Sequence, residues 1–397
     1  MHLPVFTALI SVASAVLIQG PPGPYSVARK VQAFEDSARL DPLAPADKPE
    51  KRRVATSAFI PVKKGNCSDD VVPYMTPITA KAMAGFSASL GFALPDDFFD
   101  NLEMAFCKVG EACKSRRDAS RNKYPVVLFS PGLGGSRHMY GVLARSLASY
   151  GYVVLTLDHT YETGVVEFPD GSVVYGVVNA TGGLAPAYLE SLVETRRADF
   201  SFVIDQLQTP DVAAQLVAGM GASIDSDKVF VYGHSLGGAT SAATILTDDR
   251  VLGGLNFDGA MYGPVPIEGS DKLLVLAGQP VLPQTVFPGV PSWNETYDKH
   301  QGPALIVTIN GTMHPTFLDA PQLPPIKELL KNPDYTAALQ GFLGTIDGDR
   351  AGQLTIDIVR TALHSVFDGK KDELCNIEKL GPELDLLKIK GLGCPQE

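Results

Sequence analysis

The 397-residue chain has no C-x-x-C pair and no H-E-x-x-H, so no spacing typical of metal ligands points to a metal centre. It also lacks G-x-G-x-x-G and the G-x-x-x-x-G-K-[ST] loop, which disfavours a nucleotide phosphate as ligand. Basic charge is scarce: 33 Lys and Arg against 44 Asp and Glu leave a formal net charge of −11. A nucleic-acid partner calls for the opposite sign, and an anionic membrane would repel such a chain at long range. No segment recurs at a fixed period, so repeat architectures are set aside. The expectation is a chain without cofactor, metal or nucleic acid.

Formal charge is also missing from Met1 to Val27, His2 aside, and Leu3 to Ile18 is almost wholly apolar. Ala13 and Ala15 form an A-x-A-like cleavage site, and Gly20, Pro21, Pro22 and Pro24 stop any longer helix. Residues 1–19 therefore read as a signal peptide, and the protein as secreted and extracellular. Four N-x-[ST] sequons, at Asn66, Asn179, Asn294 and Asn310, agree with that route and imply a glycoprotein. Five cysteines (Cys67, Cys107, Cys113, Cys375, Cys394) suggest two disulfide bridges and one remaining thiol, with the pairing open.

With 45% hydrophobic residues, the chain can bury a full core, and one large domain over residues 20–397 is the default. Gly20 to Pro49, rich in Pro, Ala and Asp, reads as an extended arm followed by a loop; Val54 to Val62 has strand character. From Tyr124 strands and helices alternate: strands at Pro125–Ser130 and Tyr152–Asp158, with a helix between them at His138–Tyr150. A helix at Leu189–Leu207, a strand at Val229–Gly233 and a helix at Gly237–Thr247 follow. Further strands begin at Leu252, Leu273 and Ala304, and a closing helix runs from Asp349 to Phe367. This is the α/β class, a mostly parallel sheet with helices on both faces.

One motif in that alternation carries chemistry. GHSLGG, Gly233 to Gly238, matches G-x-S-x-G and lies directly between a buried strand and a helix. A tight turn there holds the serine in a strained conformation and presents its hydroxyl, which makes Ser235 the candidate nucleophile. A serine hydroxyl needs a base, and the base needs an orienting acid. Asp258, in LNFDG at the end of the next strand, is the candidate acid, with Asp271 and Asp298 as fallbacks. His314, in INGTMHPTF after the last strand of the run, is the candidate base and completes the order Ser, Asp, His expected of an α/β-hydrolase. His364 is the rival, but TALHSVF has helical apolar spacing; His300 falls in a polar stretch and His234 is expected to point away from Ser235. The backbone amides of Leu236 and of Leu133, in the loop SPGLGGSR, are the candidate oxyanion donors.

These pieces resemble a family. YPVVLFSPGLGGSR, LASYGYVV, GHSLGGAT, LNFDG and GTMHPTFLD occur in the order found in the plasma-type, calcium-independent platelet-activating factor acetylhydrolases, and especially in their secreted fungal relatives. The resemblance runs from about Tyr124 to Asp319. It implies an α/β-hydrolase catalytic domain with an N-terminal extension and cap-like insertions. It also implies hydrolysis of a short acyl ester at the middle position of a phospholipid, without cofactor or metal. The partner is then a small-molecule or lipid ester, met in transient contact with lipid surfaces. Residue by residue the resemblance assigns Ser235, Asp258 and His314 to the triad and Leu133 and Leu236 to the oxyanion hole. A lipase or cutinase-like polyester hydrolase would use the same machinery, and a non-catalytic binding protein could share the fold. A cysteine-bridged adhesion protein would explain the leader and sequons but not GHSLGG.

Overall fold

The structure is a computed structural model that describes residues 15–64, 67–109, 122–180, 182–263, 270–280 and 289–395. The chain divides into two compact units. The first comprises Met1–Tyr124, Leu133–Leu184 and Gln206–Ile224; the second comprises Pro125–Gly132, Ala185–Asp205 and Asp225–Glu397.

In the first unit the strand Lys51–Val62 is buried along almost its whole length and pairs antiparallel on both sides, with Ser26–Leu40 and with Val153–His159. The expected arm and loop over Gly20–Pro49 is thereby corrected: Ser26–Leu40 is a 15-residue strand. Its sequence, SVARKVQAFEDSARL, hides the fact because charges interrupt the alternation. The strand ends its sheet, and charges on an edge strand discourage further pairing. Two buried ion pairs lie in this unit: Arg52 donates to Asp41 at 2.8 Å, and the Arg137 guanidinium binds Asp158, whose other oxygen accepts the Arg137 amide at 2.5 Å. That second pair fixes the start of the short helix Arg137–Tyr140, just after the glycine-rich loop. The continuous helix expected over His138–Tyr150 is instead this 3₁₀ turn followed by an α-helix at Gly141–Ala148.

A smaller sheet in the same unit orders Val16–Ile18, Leu102–Val109 and Cys67–Pro73. The helix Pro77–Ser89 receives a carboxylate at its N-terminus: Glu167 accepts from the Thr79 amide at 2.7 Å and its hydroxyl at 3.0 Å. An anion there complements the helix dipole. Cys107 is disulfide-bonded. Cys113 and the sequon at Asn66 lie outside the described residues, as does the leader through residue 14.

The second unit carries the parallel part of the fold. Ser223–His234, Val251–Phe257, Leu273–Gly278 and Ala304–Ile309 pair in parallel, one after the next. Leu384–Lys390, a strand not expected from the sequence, closes the run antiparallel against Ala304–Ile309, and Lys123–Ser130 flanks Ser223–His234 at the other side. The central strands read as continuous apolar runs because both their faces are covered, as parallel sheets require. Helices Pro186–Gln208, Leu236–Thr247 and Gly348–Asp368 match the expected ones to within a few residues. The last is capped at both ends, by the Asp347 side chain accepting from the Arg350 amide and by left-handed Gly369. A disulfide joins Cys375 to Cys394, on either side of Leu384–Lys390. Among the described residues no helix is long and apolar enough to cross a membrane.

Candidate active site

Ser235, Asp258, His314 and Leu236 all belong to the second unit, at the C-terminal ends of its parallel strands, where crevices of α/β folds form. Ser235 sits between the strand ending at His234 and the helix Leu236–Thr247, with φ 57° and ψ −125°. Few non-glycine residues tolerate a positive φ, so surrounding contacts must enforce it. The enforcing contacts are backbone ones. A Cβ on Gly233 would strike the Gly237 carbonyl, and one on Gly237 would strike the carbonyl oxygens of Ser130 and Pro131. The Ser235 amide donates to Phe257 O at 2.8 Å. From Val229 to Ile245 every residue is buried except Ser235.

Asp258 is the second strained residue, with φ 54°. Its amide donates to Ala277 O at 2.9 Å. Its carboxylate is sealed from solvent and takes three hydrogen bonds: from the Gln279 amide at 2.9 Å, from Gln279 Nε2 at 2.8 Å, and from His314 Nδ1 at 2.6 Å. The loop behind it is also fixed. Asn256 reaches Gly259 twice, accepting from its amide at 2.8 Å and donating to its carbonyl at 2.9 Å. Buried Trp293 donates to the same carbonyl at 2.8 Å, from a helix that opens with a capping box at Ser292 and Glu295. The third glycine of GHSLGG has its reason here, since a Cβ on Gly238 would strike Asn256 Oδ1.

The His314 side chain is 40% exposed, while the Asp258 side chain it meets is fully enclosed. Its loop is anchored by Thr316, whose hydroxyl accepts from the Met313 amide at 2.8 Å and donates to Leu343 O at 2.5 Å, and by Phe317 stacked on Phe257 at 5.2 Å. His234 lies beside it, ring centroids 4.5 Å apart, with Nε2 donating to His314 O at 3.0 Å. Burial, and then the neighbouring His314, push the His234 imidazole well below its usual pKa and keep it neutral.

The other sequence candidates lie elsewhere. Asp271 and Asp298 are exposed, the latter paired with Lys388, and His364 is a helix residue paired with Glu373 at 2.6 Å. His300, expected in a polar loop, is buried at a helix end with Nε2 donating to Lys272 O. Leu236 opens its helix, where first-turn amides have no intrahelical carbonyl to meet. Leu133 is in the first unit, in a loop whose Gly134 carbonyl accepts from the Gly164 amide at 3.0 Å. Gln279, Asn256 and Trp293 carried no sequence signal, because their roles arise only when separate strand ends meet. Among the described residues no group of three or more His, Cys, Asp or Glu side chains gathers as a metal site would.

This arrangement, a strained serine between strand and helix with a histidine–carboxylate pair from later strand ends, can be compared with known proteins. The family described as platelet-activating factor acetylhydrolase, isoform II, is matched over residues 95–168 and 211–332, which include Leu133, Ser235, Asp258 and His314. The chain belongs to this family. Among platelet-activating factor acetylhydrolase relatives, a protein of Arthroderma benhamiae named a probable 1-alkyl-2-acetylglycerophosphocholine esterase is 29% identical over 261 residues, 64% of this chain and 61% of that protein. The platelet-activating factor acetylhydrolase of Canis lupus familiaris is 25% identical over 269 residues, 60% of this chain and 55% of its own length. The chain thus spans a little over half the length of these curated relatives. A ferulic acid esterase from Streptomyces cinnamoneus has the same fold, with a TM-score of 0.71 and 24% identity, covering 94% of this chain and all of that one. The architecture is an α/β-hydrolase fold.

Proposed function

We propose that the chain is a serine carboxylic ester hydrolase that cleaves short acyl esters of phospholipids, as a 1-alkyl-2-acetylglycerophosphocholine esterase does. The observation that carries the reading is the 2.6 Å contact of His314 Nδ1 with enclosed Asp258, in the same unit as Ser235 in its strained turn. Asp258 holds the imidazole with Nδ1 protonated, leaving Nε2 to act as base. Ser235 Oγ attacks the ester carbonyl carbon as its proton passes to His314, and the carbonyl π electrons become the oxyanion. The amides of Leu236 and Leu133 donate to that oxyanion. Collapse breaks the bond to the alkoxy oxygen, which leaves with the proton from His314, and water then releases the acid from Ser235 by the same sequence. Each oxyanion donor is worth about 2.7–4 kcal/mol in such chemistry.

The deciding experiment is hydrolysis of p-nitrophenyl esters from acetate to palmitate, and of a 2-acetyl phospholipid, by the protein and by Ser235→Ala. Rapid turnover of acetate and of the 2-acetyl lipid, abolished in Ser235→Ala, is expected. Rates that climb steeply toward palmitate would assign the protein to the lipases; activity that survives Ser235→Ala would overturn the triad.

We further propose a secreted glycoprotein whose meetings with lipid surfaces are transient and which has no nucleic-acid partner. The Cys375–Cys394 bridge suits an oxidising compartment, and the sequon residues Asn179, Asn294 and Asn310 are all exposed.

A further inference from the structure

Arg196 stands in the apolar stripe of the helix Pro186–Gln208, among buried Leu192, Val193, Phe200, Val203 and Ile204. Its side chain is 1% exposed. A guanidinium is never neutralised by pKa adjustment, so burying one demands hydrogen-bond acceptors. Those it finds include three consecutive residues of one segment: Nη1 donates to Ser130 Oγ at 3.1 Å and to Pro131 O at 2.6 Å, and Nη2 donates to Gly132 O at 3.4 Å. The same Pro131 carbonyl, together with that of Ser130, is the surface on which Gly237 of the serine turn rests. One rigid fork therefore grips the backbone beneath the serine turn.

We propose that Arg196 is a positioning residue for the oxyanion hole. The inference rests on the triad reading above. The Gly132 carbonyl held by Nη2 and the Leu133 amide are two ends of one planar trans peptide, in which C=O and N–H point in opposite directions. Fixing the oxygen therefore fixes the line of the N–H, and the short bond to Pro131 O fixes the preceding peptide in the same way. Arg196 acts only through this backbone and does not touch the substrate. Preorganised donors stabilise a developing oxyanion because they need no reorientation as charge appears, so a peptide free to rock loses much of that benefit. Lysine cannot replace the fork, since a single ammonium has no planar pair of donors to span adjacent carbonyls.

The test compares Arg196→Lys with the unaltered protein in three measurements: kcat and KM on p-nitrophenyl acetate, the inhibition constant of a trifluoromethyl ketone that forms a tetrahedral adduct on Ser235, and Tm. The expected result is a kcat about 10–100-fold lower, short of the ~10²–10³ for outright loss of a donor. Affinity for the ketone should weaken in parallel, with KM within about threefold. Arg196→Gln, which is neutral but still donates, should fall on the same line of kcat against ketone affinity. A lower Tm with kcat and ketone affinity unchanged in Arg196→Lys would overturn the proposal, as would an effect confined to KM. Ser235→Ala separates the two ideas: if it stays active, the triad reading fails whatever Arg196 does, and if it is dead while Arg196→Lys is normal, only the positioning role fails.

Discussion

Asp258, the proposed acid, shows how much of such a role would rest on groups outside its own side chain. Its carboxylate takes two bonds from Gln279 and one from His314, and its loop is stitched by Asn256 and Trp293 through Gly259. Asp258→Asn would keep the shape but present an amide to His314 Nδ1, favouring the tautomer that cannot act as base. A kcat loss of about 10⁴-fold is expected, the scale for removing this charge from such a triad. It would be measured on p-nitrophenyl acetate beside a circular dichroism spectrum that should not change. Ser235, Asp258 and His314 could be nominated from the sequence because each stands in a short motif at the end of an apolar run. Gln279 and Arg196 could not be nominated in this way, since the first follows an unremarkable strand and the second is an arginine among helical residues. In retrospect Arg196 did leave a trace, a charge at a position where helical spacing calls for an apolar side chain.

At the scale of elements, legibility followed burial. Strands covered on both faces, such as Leu273–Gly278 and Ala304–Ile309, are plain apolar runs; two edge strands, Ser26–Leu40 and Leu384–Lys390, carry charges, so the first reads as part of an extended arm and loop and the second gives no strand signal. Their strand character comes from partners distant in the chain, which local propensity does not encode. The short strand Val16–Ile18 bears on the leader. It pairs in parallel with Leu102–Met104 and buries Ile18, so a cut after Gln19 would remove a strand, whereas a cut after Ala15 would keep it. The intact mass of the secreted protein, before and after enzymatic deglycosylation, is expected to place the first residue at Val16 and to reveal glycan on the exposed sequons. A mass that begins at Met1 with no carbohydrate would contradict both the cleavage and the secretory route.

For the whole molecule, three of the buried histidines bear on the response to mild acid. His138, His234 and His300 all have pKa values pushed down, chiefly by burial. A histidine whose folded pKa lies below its unfolded value near 6.5 takes up its proton more readily when the chain unfolds. Its stabilising contribution is therefore complete above about pH 6.5 and declines as pH falls below it. Tm is expected to be level above neutrality and to drop progressively from pH 6.5 to 5, as followed by scanning calorimetry; a flat profile over that interval would show that these side chains are not held neutral. The sheet that buries such groups also decides where negative charge can stand. His314 Nδ1 and Gln279 Nε2 converge on the same oxygen of Asp258, although Asp258 and Gln279 follow adjacent strands. The fold thus specifies a place for the carboxylate more firmly than it specifies which strand supplies it. In an evolving lineage the acid has a ready route from one strand end to the next: glutamate at 279 with asparagine at 258 would put the charge within reach of the same imidazole, and the order of the catalytic residues along the chain would still be serine, acid, histidine.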